Sequence, residues 1–185
     1  MKPSASASAR AARTAFGAIG AAAVGLTLTG TMAQAPEFNT DISIAELMEA
    51  LVMPEADVIW GAIQYAATED GETMIGPETD EEWLEVRHSA IALAEVANNL
   101  MIPGRPANQP GVPSPQGELS AAEIEALIGQ RRDAWNAYAA TLHTVAMQAV
   151  EAIDARDAEK IFLDTGGAID AACEGCHTAF WYPDQ

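Results

Sequence analysis

Cysteine is nearly absent from this 185-residue chain, which holds only two. A disulfide framework needs several pairs, so a small stapled scaffold is excluded. Basic residues are scarce as well: nine Lys and Arg stand against 27 Asp and Glu. Nucleic acid is therefore a poor partner, because phosphate binding needs a basic footprint. Strand-like alternation is weak throughout, which argues against a sheet-based fold. No apolar run reaches the roughly 20 residues that a membrane-spanning helix requires.

The two cysteines are not scattered. They fall in one string near the C-terminus, Cys173-Glu174-Gly175-Cys176-His177. A C-x-x-C-H string reads as a c-type haem attachment site. Each thiol can add across a haem vinyl group, and the histidine that follows can ligate the iron. Other chemistries compete for the pair. A thioredoxin-like redox pair expects a βαβ setting. A structural zinc site expects four protein ligands, and only His88 and His143 remain as further nitrogen donors. A disulfide between cysteines three apart on a helix is poorly placed for S–S geometry. A chance string is the bland reading.

The other end of the chain reads as an export signal. Lys2, Arg10 and Arg13 form a basic start, residues 16–28 are apolar or small, and Ala33-Gln34-Ala35 is an A-x-A cleavage site. Residues 1–35 are thus expected to be a signal peptide cleaved after Ala35, with an uncleaved anchor as the rival reading. Residues 36–185 would be one domain. That domain has six basic residues against 27 acidic ones, a net charge of −21. Such a surface can steer a basic redox partner during encounter, or simply keep the protein soluble in a salty habitat.

Four helices are predicted. The first spans residues 43–67, opened by the capping-box pair Ser43 and Glu46. Ile44, Leu47, Met48, Leu51 and Val52 form its apolar stripe, and Pro54 predicts a kink or break. A polar turn covers residues 68–79. Thr79 with Glu82 caps the second helix, whose seam is Trp83, Val86, Ala90, Leu93, Ala97 and Leu100. Residues 103–119 hold five prolines and read as a long surface loop. Ser120 with Glu123 caps the third helix, which carries Ile124, Ile128, Trp135, Tyr138, Leu142, Val145 and Ala149 and ends near Arg156. Asp157 caps the fourth, with Ile161, Phe162, Ile169, Cys173, Cys176 and Phe180. Gly166-Gly167 inside it is either a weak point or a place of close approach. Four amphipathic helices predict an all-α chain, an antiparallel four-helix bundle with haem c attached near the end of the last helix.

This pattern resembles the class II cytochromes c, the cytochrome c′ and cytochrome c556 group. The resemblance rests on the export signal, the four helices and the motif at the end of the last one. Leu47-Met48, Pro54, Trp60, the segment Asn99-Leu100-Met101-Ile102-Pro103-Gly104-Arg105 and Phe180-Trp181-Tyr182 look like a c556-like subgroup. The resemblance implies Cys173 and Cys176 as attachment points for one haem c and His177 as the fifth iron ligand. It also implies a sixth ligand from the first helix. A methionine there gives a six-coordinate carrier of single electrons; an apolar residue leaves iron five-coordinate, able to bind nitric oxide or carbon monoxide. Met48 lies about where the family places that residue, and its thioether is a soft ligand that raises the reduction potential. Its rivals are ordinary core packing, Met53, Met101 and, more weakly, Met74. Met147 is expected to pack on the third helix. His143 borders the seam of that helix and His88 faces solvent, so neither is expected to ligate.

The chain departs from the cytochrome c′ pattern in two places. Ile44 stands one turn before Met48 where many members carry a basic residue, and the tail after His177 has none. Arg105 is the candidate partner for a haem propionate, or else a solvated loop arginine. The reading that follows is a periplasmic electron carrier, not an enzyme, with no stable membrane insertion after cleavage. Its partner would be a redox protein with a basic docking face. A homodimer through the first two helices is an implication of the resemblance alone. The alternatives are a five-coordinate gas binder, a haem peroxidase, and a haem-free thiol–disulfide protein.

Overall fold

The computed structural model describes residues 37–69 and 71–183. The expected signal peptide, residues 1–35, lies outside them. The described chain is mostly helical, with one small hairpin.

The first helical run joins α1 (Ile44–Leu47), a π-turn (Met48–Val52) and α2 (Met53–Gly61) without leaving right-handed backbone. The expected capping box is present: Ser43 Oγ accepts from the Glu46 N–H, and the Glu46 carboxylate accepts from the Ser43 N–H. The Ile44 and Ala45 N–H groups donate to the Pro106 and Ala107 carbonyls at 2.8 and 3.0 Å. The proline-rich loop therefore satisfies donors that a helix start leaves orphaned. Pro54 does not end the helix. A proline cannot donate to the carbonyl four residues back, and its ring crowds that carbonyl. The π-turn just before it widens the spiral, closed by the Met53 N–H on the Met48 carbonyl. The extra residue also shifts the apolar stripe. Val52 is buried, whereas Leu51, expected on the same stripe, is 40% exposed.

The run stops at Gly61, six residues before the predicted end. Residues expected to be helix and polar turn form an antiparallel hairpin instead, β1 (Gln64–Thr68) and β2 (Gly71–Ile75). Tyr65 pairs with Met74 and Ala66 with Thr73. Gly71 takes a φ of +126°, which a side chain would oppose. The Asp70-Gly71 dipeptide was the available hairpin signal.

Helix α3 (Asp80–Leu100) starts at the expected Thr79/Glu82 capping box. The predicted third helix is two. α4 (Ala121–Gln130) has its Ser120/Glu123 box, then the backbone breaks at Arg131 (φ −120°, ψ 39°) and α5 (Arg132–Asp154) begins. α3 and α5 run antiparallel: Arg87 pairs with Asp154 at one end, and Trp135 Nε1 donates to the Leu100 carbonyl at 2.7 Å near the other. Their buried faces are rich in alanine, with Ala90, Ala97, Ala146 and Ala149 fully covered, which lets the two backbones approach closely. Met147, expected to pack, is 40% exposed.

The last helical run joins α6 (Ala158–Lys160), a second π-turn (Ile161–Thr165) and α7 (Gly166–Phe180). Asp157 caps it through the Lys160 N–H. Phe162 is not core; it is exposed and stacks on Tyr65 of the hairpin at 5.9 Å. The glycine pair resolves into one functional and one open position. A Cβ at Gly166 would sit 3.3 Å from Trp60 Cδ1, and Trp60 Nε1 donates to the Gly166 carbonyl at 3.0 Å. A Cβ at Gly167 meets nothing. Gly166 is thus the close approach of the first and last helical runs. Among the described residues no helix is long and apolar enough to cross a membrane.

Candidate functional site

The motif lies in the regular part of α7, where residues three and four apart share a face. Cys173, Cys176 and His177 all line one small apolar cavity of about 20 Å³. The first run contributes Met48 and Val52 to the lining. Leu100 closes it from α3, and Trp135, Tyr138 and Leu142 from α5. A second, more open cleft of about 410 Å³ is also lined by Met48 and His177, together with Met53, Glu118, Trp181 and Tyr182. Met48 and His177 therefore border both spaces.

Both cysteines are free and half-buried. Burial pushes the Cys176 thiol up to about 12 from its ordinary 9.0, with Cys173 adding to it. The Cys173 thiol is pushed up too, first by burial and then by the Asp170 and Glu174 carboxylates. A disulfide-exchange pair needs the opposite, a thiolate stabilised by its surroundings. Among the described residues no three His, Cys, Asp or Glu side chains are grouped to hold a metal ion, so the zinc alternative gains no further ligands.

His177 is held by its backbone and by aromatic neighbours. Its carbonyl accepts from the Trp181 N–H at 2.7 Å and from the Tyr182 N–H at 3.2 Å. The Trp181 and Tyr182 rings lie 6.1 and 6.2 Å from the imidazole. Tyr182 OH donates to Glu174 at 2.9 Å, and Thr178 Oγ1 donates to the same carboxylate at 3.3 Å. The Leu119 N–H donates to the Trp181 carbonyl, which ties the tail to the end of the long loop. Burial, and then the bond to Glu174, push the Tyr182 phenol upward. The imidazole itself makes no hydrogen bond to a described residue, so a ring nitrogen is available to ligate.

Gly175 inside the motif has its own reason. A Cβ there would stand 3.4 Å from Tyr138 Cε1, so the ring packs against the α7 backbone between the two cysteines. Phe180 lies edge-on to Trp135 at 5.3 Å and to Tyr138 at 6.1 Å, with no exposure.

The structure brings four of the five candidate residues together: Cys173, Cys176, His177 and Met48. Arg105 is not among them. It lies in the loop after α3, where Nη1 donates to the Ile42 carbonyl, and it lines a different cleft with Arg132. The loop's packing onto the start of the first helix carries it there. Met53 is 46% exposed and reaches only the outer cleft. Met101 and Met74 pack against the core and line neither space. His143 and His88 line neither space either. The contributions of Val52, Leu100 and Tyr138 to the cavity were legible only as seam positions.

The donor set suits a covalent haem. Two unpaired thiols and an unbonded imidazole share one helix face, a thioether lines the same cavity, and the lining is apolar. No protein-family model, curated protein or solved structure matches the chain.

Proposed function

We propose that this chain is an exported c-type cytochrome of the class II kind, a periplasmic electron carrier rather than an enzyme. In this reading its helices form a four-helix bundle, with α4 as a short prelude to the third. One haem c is attached through thioethers at Cys173 and Cys176. His177 holds the iron from one side and Met48 from the other. The carrying observation is that Met48 and His177 border the same two adjoining spaces, the inner of which also receives both thiols.

Bound there, the haem would supply a one-electron ferric–ferrous couple. The chain's own residues do the rest. The thiols anchor, and their raised pKa keeps them protonated until they react. The Trp181–Tyr182 tail and the doubly bonded carbonyl fix the place of His177. Val52, Leu100, Leu142 and Trp135 exclude water, which favours the less charged ferrous state. The acidic surface would steer a redox partner with a basic docking face. Cleavage after Ala35 and a homodimer belong to the same proposal.

The test is expression with a cytochrome c maturation system, followed by ferric and ferrous spectra. Low-spin spectra with the weak charge-transfer band of methionine-ligated ferric haem are expected. Met48→Ala should convert low spin to high spin, while Met53→Leu leaves the spectrum unchanged. A wild-type protein that is high-spin and binds carbon monoxide readily would replace this reading with the five-coordinate gas binder. No covalent haem at all would remove both.

A further inference from the structure

Six basic residues lie in the described chain, and they divide into two groups. Arg87, Arg156 and Lys160 each hold a carboxylate: Asp154, Asp80 and Asp164. Arg105, Arg131 and Arg132 hold none among the described residues, although acidic side chains outnumber basic ones more than fourfold in residues 36–185. Arg131 is engaged elsewhere, stacked over the Phe180 ring at 5.2 Å with Nη1 on the Ala179 carbonyl. The other two share a cleft of about 380 Å³ between the loop after α3 and the start of α5.

Both guanidiniums are pre-positioned there. Arg105 Nη1 donates to the Ile42 carbonyl, and Arg132 Nη2 donates to the Met101 carbonyl at 3.3 Å. Arg105 Nε is buried with no hydrogen-bond partner. The cleft rim includes Gly104 at a φ of +84°, so no Cβ crowds the approach at that point. Glu125 is the one carboxylate lining the cleft; its Oε1 accepts from the Ala107 N–H at 2.9 Å. An ionised carboxylate can only accept hydrogen bonds. It would repel a fully deprotonated oxyanion but accept from one that still carries a hydroxyl.

We propose that Arg105 and Arg132, with Glu125 in the same cleft, form a binding site for a protonated phosphate group, the hydrogen phosphate ion or a monoester. The two guanidiniums take the charged oxygens, and Glu125 takes the P–OH proton as a hydrogen bond. The site lies apart from the cavity of Cys173 and His177, whose linings it does not share. It stands or falls without the haem reading.

The test is isothermal titration of residues 36–185, with and without haem, using inorganic phosphate, a phosphate monoester, sulfate and dimethyl phosphate. Saturable one-to-one binding of inorganic phosphate is expected, at least tenfold tighter than sulfate or the diester, neither of which carries a proton. The monoester arm separates free phosphate from an esterified source. Arg132→Gln and Arg105→Gln should each weaken phosphate at least tenfold. Arg131→Gln should leave it within twofold. Glu125→Gln should narrow the preference over sulfate. Circular dichroism checks that each variant folds, and Arg105→Lys, which keeps the charge, provides a milder lesion. Absence of saturable phosphate binding, or equal weakening by Arg131→Gln and Arg132→Gln, would overturn the site.

Discussion

The first and last helical runs contain the same irregularity for different reasons. Each has a five-residue π-turn, Met48–Val52 in one and Ile161–Thr165 in the other. In the first run the cause is local. Pro54 removes a donor and crowds the preceding turn, and the spiral widens just before it. In the last run there is no proline, and what accompanies the turn is a hydroxyl inside it and a contact from a distant helix just after it. Thr165 Oγ1 donates to the Lys160 carbonyl at 3.3 Å, and the Gly166 carbonyl, where regular helix resumes, accepts the Trp60 indole N–H. Where the reactive groups sit also differs. Met48 opens its π-turn, so its direction depends on the distortion. Cys173, Cys176 and His177 lie beyond theirs, on regular helix, because a motif spaced by three and four needs an undisturbed face. π-turns cluster at functional sites, and here one of them contributes Met48 and Val52 to the cavity of the candidate site.

The largest difference expected between the runs is in core commitment. Phe180, at the end of the last run, is fully buried among Trp135, Tyr138 and Arg131. Phe180→Ala should cost about 3–5 kcal/mol. Leu51, turned outward by the first π-turn, should tolerate alanine to within about 0.5 kcal/mol. Urea denaturation of both variants decides it. Comparable losses would mean that the first run buries the same stripe a regular helix would.

Reactivity should divide along the same line. The last run carries thiols that burial silences. With Cys176 pushed up to about 12, alkylation in the folded haem-free chain should be slower than in urea by on the order of a hundredfold or more near pH 8. Mass spectrometry after timed iodoacetamide exposure reads the rate at each cysteine. Equal rates in folded and unfolded protein would show the motif face to be open.

Contact between the runs can be tested at Gly166 and Trp60. Trp60→Phe removes one hydrogen bond and should cost about 1 kcal/mol. Gly166→Ala forces the indole to shift by a few tenths of an ångström and should destabilise. Gly167→Ala faces open space and should stabilise by up to about 1 kcal/mol through helix propensity. A gain at both glycines would break the claim that they differ.

Which parts were legible follows from the range of the forces. The three capping boxes could be read because each is complete within four residues. The motif could be read because it is a string. The hairpin was missed because helix periodicity through Ile63 was carried past Gly61, although Asp70-Gly71 signalled a turn. The break at Arg131 has only Gly129 as a nearby hint. The bond from Trp60 to the Gly166 carbonyl, just past the second π-turn, spans about a hundred residues, which no local pattern reports. Arg105 was placed by elimination among few basic residues, and elimination cannot see that Pro106 and Ala107 would bind the start of the first helix and take Arg105 with them. Its companion Arg132 had no signal beyond being basic.

The smallest effects should come from the way the two runs begin. The first has a reciprocal box; the last has Asp157 alone. Ser43→Ala should cost about 1 kcal/mol. Asp157→Ala should cost less, because it removes one bond where Ser43→Ala disturbs a pair. The difference also carries a pH signature. The Glu46 carboxyl is held below its ordinary 4.5, first by the Gln109 side chain and then by Ser43. A carboxylate whose pKa is lower in the folded state contributes stability that is fully present above 4.5. That stability is lost as pH falls through the folded-state value. Glu82 and Glu123 behave alike, held down by bonds to Thr79 and Ser120. Urea midpoints should therefore decline as pH drops below about 4.5, and Glu46→Gln should lower the neutral midpoint while flattening the acid slope. An unchanged slope in Glu46→Gln would mean that the box contributes geometry but no proton linkage, and the first run would then begin no more firmly than the last.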